Sequence, residues 1–317
     1  MFDGIGVEAR IFYHLGTIAR MAGGHGSRPP RLWAERGYDA YGLERLRRYD
    51  VLIVCGYMRP AFFRGFFGIE ALRERCPDKP IVLHTVSYLG NSPDWQERIA
   101  AADGFGVSRY DWHLVVSPVG KRVLPSGHPC QAVGINLEIP ALFPGKKVEF
   151  TALLDHSRAG FEKERQQQLE ALDGMKIPYV ELNSPQSFAS IYKIYRRTSI
   201  YFLAFLESFG IPICESQICG NYVFTPDKHW PQAHRQAGSF SRDGSIVLTE
   251  NFRVYGDMKD LREKIAQARD SHNPEQIFDN FVRNYPTYYH GDLAELKRFV
   301  NHAERGDLWG KDFREKA

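Results

Sequence analysis

The sequence predicts an α/β protein of two Rossmann-like domains facing each other across a cleft, and three observations carry that prediction. The chain has 317 residues, more than one ordinary core organises, so two domains of about 150 residues are expected. Short apolar runs alternate with amphipathic stretches along most of its length. Residues 134–147, "GINLEIPALFPGKK", place two prolines and two glycines between one series of runs and the next, the composition of a seam.

The runs are "YDVLIVCG" (49–56), "KPIVLHTVS" (79–87), "WHLVVSP" (112–118), "VEFTALL" (148–154), "PYVEL" (178–182), "SIYFLAFL" (199–206) and "NYVFTP" (221–226). Rich in Val, Ile, Phe and Tyr, they lack the alternation of half-exposed strands and so read as parallel strands covered on both faces. Between them "GVEARIFYHLGTIARM", "FEKERQQQLEALDG" and "FASIYKIYRR" read as amphipathic helices. Strand and helix in alternation give doubly wound sheets.

Composition narrows the class. With 43% hydrophobic and 25% charged residues, the chain has the balance of a soluble globular protein. No apolar run approaches the ~18 residues of a membrane span, and the start lacks the order of a signal peptide, so the cytoplasm is the expected location. The five cysteines, Cys55, Cys76, Cys130, Cys214 and Cys219, are odd in number and lack Cys-x-x-Cys spacing, which points to reduced thiols. Net charge is +3, with 19 Lys and Arg against 15 Asp and Glu through Glu149 and 22 against 23 beyond it. That bias is too small to predict nucleic-acid binding.

The chemistry concentrates in "ESFGIPICESQICG", residues 207–220. In a parallel sheet the ligand lies at the carboxyl ends of the strands, and the following helix aims free N–H groups at it. Here Glu207 ends the run "SIYFLAFL", Gly210 allows close backbone approach, and Pro212 suits a first helical turn because it has no N–H to leave unpaired. Glu215 falls about one turn into that helix, where it is expected to face the crevice from outside any core. Two carboxylates can each accept hydrogen bonds from a polyhydroxylated group while the helix N-terminus holds an anion between them, which is the layout of a nucleotide sugar. Either glutamate alone is as well explained by the helix dipole or by solvation.

The string "SIYFLAFLESFGIPICESQICGNYVFTP" resembles the Glu-x7-Glu signature of retaining glycosyltransferases of the GT-B fold, family 4 in particular. Glu207, Ser208, Phe209, Gly210, Pro212, Glu215, Cys219 and Gly220 fall in register with it. "FDGIGVEARIFYHLGTIAR" is similar to the family's N-terminal glycine loop and helix, "DWHLVVSP" to its last N-domain strand, and "AVGINLEIPALFP" to its domain linker. "SRAGFEK" keeps the Arg-x4-Lys spacing that opens the family's second domain, from Arg158 to Lys163. The likeness runs from near Asp3 to about Thr225, thinly at first and densely after Phe188.

The resemblance implies a metal-independent transfer from a nucleotide-diphosphate sugar, with no cofactor, to a glycan, lipid-linked or other acceptor. Residues 1–143 would form an acceptor-side domain and 144–317 a nucleotide-sugar-binding domain, the last helix packing back on the first. Glu207 would contact the donor sugar and Glu215 the ribose, with Phe209, Gly210 and Ile211 lining the donor site. Arg158 and Lys163 would neutralise the diphosphate, and Gly4 and Gly6 would approach it from across the cleft. The chain departs from the family in beginning three residues ahead of Gly4, so the N-terminal domain reads as trimmed, and in carrying Ser87 where a histidine is usual. His84 lies three residues earlier, and both are acceptor-side candidates. These departures keep two alternatives open, a nucleotide-sugar-binding subunit without turnover and a nucleotide-sugar epimerase.

No Asp-x-Asp follows a strand, and no cluster of ligands predicts a metal. Residues 58–75, "MRPAFFRGFFGIEALRER", place Phe62, Phe63, Phe66 and Phe67 on one helical face beside Arg59 and Arg64. That face fits packing on the sheet, with peripheral contact at the inner face of a membrane as the companion expectation.

Overall fold

The computed structural model describes residues 46, 48–55, 72–74, 76–85, 110–118, 129–184, 186–207, 209–235 and 247–308. Gly4, Gly6, Ser87, Ser208 and the phenylalanines and arginines of residues 58–68 lie outside the described residues.

Two parallel sheets organise the chain. The first has strands β1 (Leu52–Cys55), β2 (Ile81–Thr85), β3 (Trp112–Val115) and β4 (Cys130–Ala132) in that order, with Leu52 beside Ile81, Val82 beside Trp112 and His113 beside Cys130. The second has β5 (Ala152–Leu154), β6 (Tyr179–Glu181), β7 (Ile200–Phe202), β8 (Tyr222–Thr225) and β9 (Phe252–Val254) in the order β6-β5-β7-β8-β9. All seven apolar runs contain a strand. Two strands, β4 and β9, are additional, and the run beginning at Val148 is strand only from Ala152: Val148 is 97% exposed, ahead of the point where pairing with β6 and β7 begins.

The helices are α1 (Glu162–Met175), α2 (Phe188–Arg197), α3 (Ile211–Ile218), α4 (Met258–Asp270), α5 (Pro274–Asn284), α6 (Pro286–Tyr289) and α7 (Leu293–Glu304). Their starts follow from sequence. Ser187, Asp257, Asn273 and Asp292 cap α2, α4, α5 and α7 by accepting from the backbone N–H three residues on, which satisfies one of the donors each helix leaves open. Lys147 is half-buried where α2 and α3 end, and its Nζ donates to the carbonyls of Tyr195 (3.1 Å), Arg196 (3.1 Å) and Cys219 (2.8 Å). Burial lowers its pKa to about 8.

The chain passes between the sheets twice. On the second crossing Leu296, Phe299 and Leu308, in and after α7, pack against Val82, Leu114 and Val133 of the first sheet and its continuation. The two passages are hydrogen-bonded to each other, Ile135 N–H to the Thr287 carbonyl and Leu137 N–H to that of Tyr289, both at 3.0 Å. Gly134 makes this closeness possible. Its φ is +68°, and a Cβ there would lie 2.1 Å from the Thr287 carbonyl oxygen. Gly134→Ala is therefore expected to lower stability by about 2 kcal/mol, from left-handed strain and the separation it forces; an unchanged urea midpoint would show that the crossing tolerates a wider spacing.

Candidate functional site

The order of the second sheet creates a crevice. From β5 the chain runs outward through α1 to the edge strand β6, then returns through α2 to β7 on the other side of β5. The loops leaving the carboxyl ends of β5 and β7 therefore diverge, the arrangement in which open α/β sheets bind ligands.

The loop after β5 is pinned at its base. Asp155, buried, accepts from its neighbour's backbone N–H at His156 (2.7 Å) and from the Tyr201 hydroxyl on β7 (2.6 Å). Tyr201 is fully buried, and burial with the Asp155 carboxylate beside it holds its phenol well above the usual range. Arg165 on α1 donates to the Asp155 carbonyl and lies 3.8 Å from Glu181. From this base the loop carries Arg158 outward, where its guanidinium sits 3.6 Å from the centroid of the Phe205 ring, a cation–π contact worth about 1 kcal/mol at an exposed site. Phe205 lies two residues before Glu207. Tertiary packing thus brings Arg158 of the β5 loop to the β7 loop, while Lys163 stands exposed on the first turn of α1. A cation at a helix N-terminus is unfavourable by itself and reinforces the site's attraction for an anion. Glu162 beside it accepts from its own backbone N–H and from that of Gly160, and the two bonds lower its pKa.

Glu207 is half-buried at the mouth of the crevice. Gly210, with φ +64°, starts α3, and a Cβ there would meet the Glu207 Cγ at 2.8 Å and the Ile213 Cδ1 at 2.7 Å. No side chain caps α3, and Pro212 lies in its first turn, as expected from sequence. Ile211 is half-buried at the start of the same turn.

Two placements differ from the sequence reading. Phe209 is 1% exposed and its ring belongs to the core, so at this turn it can offer a ligand only backbone. Glu215 is 6% exposed because its position on α3 faces α2, where it shares a hydrogen bond with the Tyr192 hydroxyl. Burial raises the Glu215 carboxyl to about 7, against the Tyr192 bond, which lowers it; Tyr192 in turn is pushed up to about 12 by burial and by Glu215.

Sequence reading missed Asp155, Tyr201, Tyr192 and His234. The last lies beyond β8 and is fully buried, and its Nε2 is 2.7 Å from the Phe209 carbonyl. Only Asp155 had a signal, a carboxylate directly after a buried run. Trp230, also in the loop after β8, meets the Phe161 ring of the β5 loop at 5.5 Å, edge to face, so the loops after β5 and β8 touch. In the first sheet His84 is the last but one residue of β2, half-buried, with its pKa lowered by burial and its Nε2 without a hydrogen-bond partner among the described residues. Among the described residues no three His, Cys, Asp or Glu side chains gather as a metal site, and no helix is long and apolar enough to cross a membrane.

No family model and no curated protein matches the sequence. Solved structures do match in fold. The crystal structure of TarM superposes with a TM-score of 0.51 at 10% identity over 84% of this chain and 57% of that one. A "putative UDP-N-acetylglucosamine 2-epimerase from Listeria monocytogenes" gives 0.48 at 12% identity over 84% and 78%. The glycosylation-associated Gap123 complex from Streptococcus agalactiae gives 0.44 at 11% identity over 85% and 56%. The chain thus spans a little over half the length of the TarM chain. What it shares with TarM at this identity is the fold, two parallel α/β sheets in the GT-B-like arrangement.

Proposed function

We propose that the protein is a retaining, metal-independent glycosyltransferase that moves a sugar from a nucleotide-diphosphate donor to a glycan, lipid-linked or other acceptor. The observation that carries this reading is the placement of the Glu-x7-Glu string: Glu207 stands in the loop after β7 at the topological switch point, Gly210 opens α3 after it, and Arg158 docks on Phe205, two residues before Glu207. Fold by itself fixes no chemistry, so the reading rests on this site and on the resemblance of its residues.

In the proposed mechanism the donor diphosphate lies across the N-terminus of α3, facing Arg158 and Lys163. The glycosidic bond breaks with positive charge developing on the sugar ring and negative charge on the departing diphosphate, and fixed cations and helix N–H groups stabilise the latter. Glu207 holds the sugar hydroxyls; the ribose is assigned to Glu215 by the resemblance alone, since its carboxyl is buried beside Tyr192 of α2. His84, across the cleft, stands on the acceptor side.

Thermal shift with UDP-, GDP-, ADP- and dTDP-sugars tests the reading, since a ligand at ~100 times its Kd adds about 2.7 kcal/mol of stability. A shift with one sugar nucleotide, followed by transfer of its sugar, supports it. Binding without turnover would instead identify a binding subunit, and isomerisation of the donor an epimerase. Activity is expected to survive EDTA because the cations proposed to neutralise the diphosphate are side chains; a strict requirement for manganese or magnesium would overturn that part of the mechanism.

A further inference from the structure

The turn that separates Glu207 from Glu215 is held from outside its own loop. A carbonyl only accepts, so His234 donates its Nε2–H to the Phe209 oxygen, 2.7 Å away. Its ring lies on the Phe209 ring at 5.7 Å with 22° between planes. Burial lowers the His234 pKa to about 4, so the ring is neutral and carries its one proton on that nitrogen. Residues 233 and 234 are in turn held by the second passage between the sheets: the Tyr285 hydroxyl donates to the His234 carbonyl (2.5 Å) and the Tyr288 hydroxyl to that of Ala233 (2.6 Å). Tyr288 also packs edge to face on Phe209, with centroids 4.8 Å apart. Its hydroxyl shares a hydrogen bond with Ser117, a buried residue two positions beyond β3 of the first sheet.

We infer that Tyr288 and His234 are positioning residues that couple the first sheet to the turn bearing Glu207, Phe209 and Gly210. The path is contiguous: Ser117 to the Tyr288 hydroxyl, Tyr288 to the Ala233 carbonyl, His234 to the Phe209 carbonyl, and Phe209 to the start of α3. Movement of the first sheet, where an acceptor would sit, changes the hydrogen bonds of Tyr288 and thereby the support under the donor turn. Its significance for catalysis rests on the glycosyltransferase reading, whereas the coupling itself is a property of the unliganded protein. Adjacency alone does not establish coupling, so the test perturbs the path at two points and reads the turn directly.

The experiment is amide hydrogen exchange of the unliganded protein, comparing Gly210, Ile211, Ile213 and Cys214 with the amides of α4. Three variants are used: Tyr288→Phe, which removes only a hydroxyl, His234→Leu, which removes the donor, and His234→Gln, whose side-chain N–H reaches toward the same carbonyl. Tyr288→Phe and His234→Leu are expected to speed exchange at the turn about tenfold, the loss of one buried hydrogen bond's support, with α4 unchanged. His234→Gln is expected to remain within about threefold of the parent, and the double variant Tyr288→Phe/His234→Leu to exceed neither single variant by much, because both act on one turn. Unchanged turn exchange in Tyr288→Phe overturns the inference, as does equal acceleration in α4, which marks general destabilisation, or a glutamine variant that behaves as leucine does. Should His234→Leu fail to fold, Tyr288→Phe decides the matter alone. Calorimetry with the sugar nucleotide selected by thermal shift should then rank Kd in the same order. A parent protein that binds none of the four sinks the glycosyltransferase reading and leaves the exchange result to decide the coupling.

Discussion

Glu215→Gln is expected to make the protein more stable at pH 8, by up to about 3 kcal/mol, and at the same time to weaken its binding of a nucleotide sugar. The buried Glu215 carboxyl is raised from 4.5 to about 7, and each unit corresponds to about 1.4 kcal/mol between protonation states. A carboxyl raised in the folded state is easier to ionise once unfolded. Its penalty is absent below about pH 4.5, grows as pH rises through the window to about 7, and is full above it. Glutamine keeps the shape and can still accept from the Tyr192 hydroxyl without ionising. Urea midpoints of parent and variant should nearly coincide at pH 4 and separate at pH 8; equal stability at both would show that Glu215 ionises in place without cost. If its carboxylate receives ribose hydroxyls as proposed, calorimetry should give a Kd about tenfold higher for the variant, the loss of a charge-assisted hydrogen bond. Stability given up for a ligand site is the usual direction of such a trade.

What could be read from sequence here is what local chemistry determines. The start of α3 was legible because its requirements are met within a few residues, a glycine at positive φ followed by proline in the first turn. The buried strands were legible because runs such as "SIYFLAFL" have no polar face to turn outward. The three-residue strands β4 and β9 were not, since "CQA" and "FRV" are too short to show a period and owe their pairing to neighbouring strands. Burial of Glu215 was illegible for another reason. Its environment comes from Tyr192 on α2, and nothing in the spacing of the motif says which face of α3 that helix covers. The Arg158–Phe205 contact joins residues on separate strand loops, and the His234–Phe209 bond joins β8's loop to β7's. Such pairings become visible only when the sheet fixes which loops are neighbours. Thus the motif named the residues, and the tertiary packing determined which of them present a side chain at the crevice and which turn theirs into the core.

Glu207→Gln is expected to lower the rate of sugar transfer by about 10²- to 10³-fold, the loss associated with removing one group aimed at developing charge, while binding of the bare nucleoside diphosphate stays within about threefold. The half-buried Glu207 lies on the loop side of Gly210, next to the point where the donor's sugar would project past α3, so its loss should be felt by the sugar and not by the nucleotide. Arg158→Ala should behave in the opposite way. Its guanidinium rests on Phe205 and is exposed to solvent, so removing it forfeits about 1 kcal/mol of cation–π contact in the fold. The diphosphate, by contrast, loses a charge-assisted partner worth about 1.5–3 kcal/mol, so the Kd for the bare nucleoside diphosphate should rise roughly tenfold to a hundredfold and transfer should fall at least as much. Calorimetry with the nucleoside diphosphate and initial rates of donor turnover, to acceptor or to water, separate the two roles in one comparison. A Glu207 variant that loses nucleotide affinity in parallel with rate would move that carboxylate from the sugar to the nucleotide. An Arg158 variant with unchanged affinity would remove the diphosphate from the crevice between β5 and β7 and with it the mechanism built there.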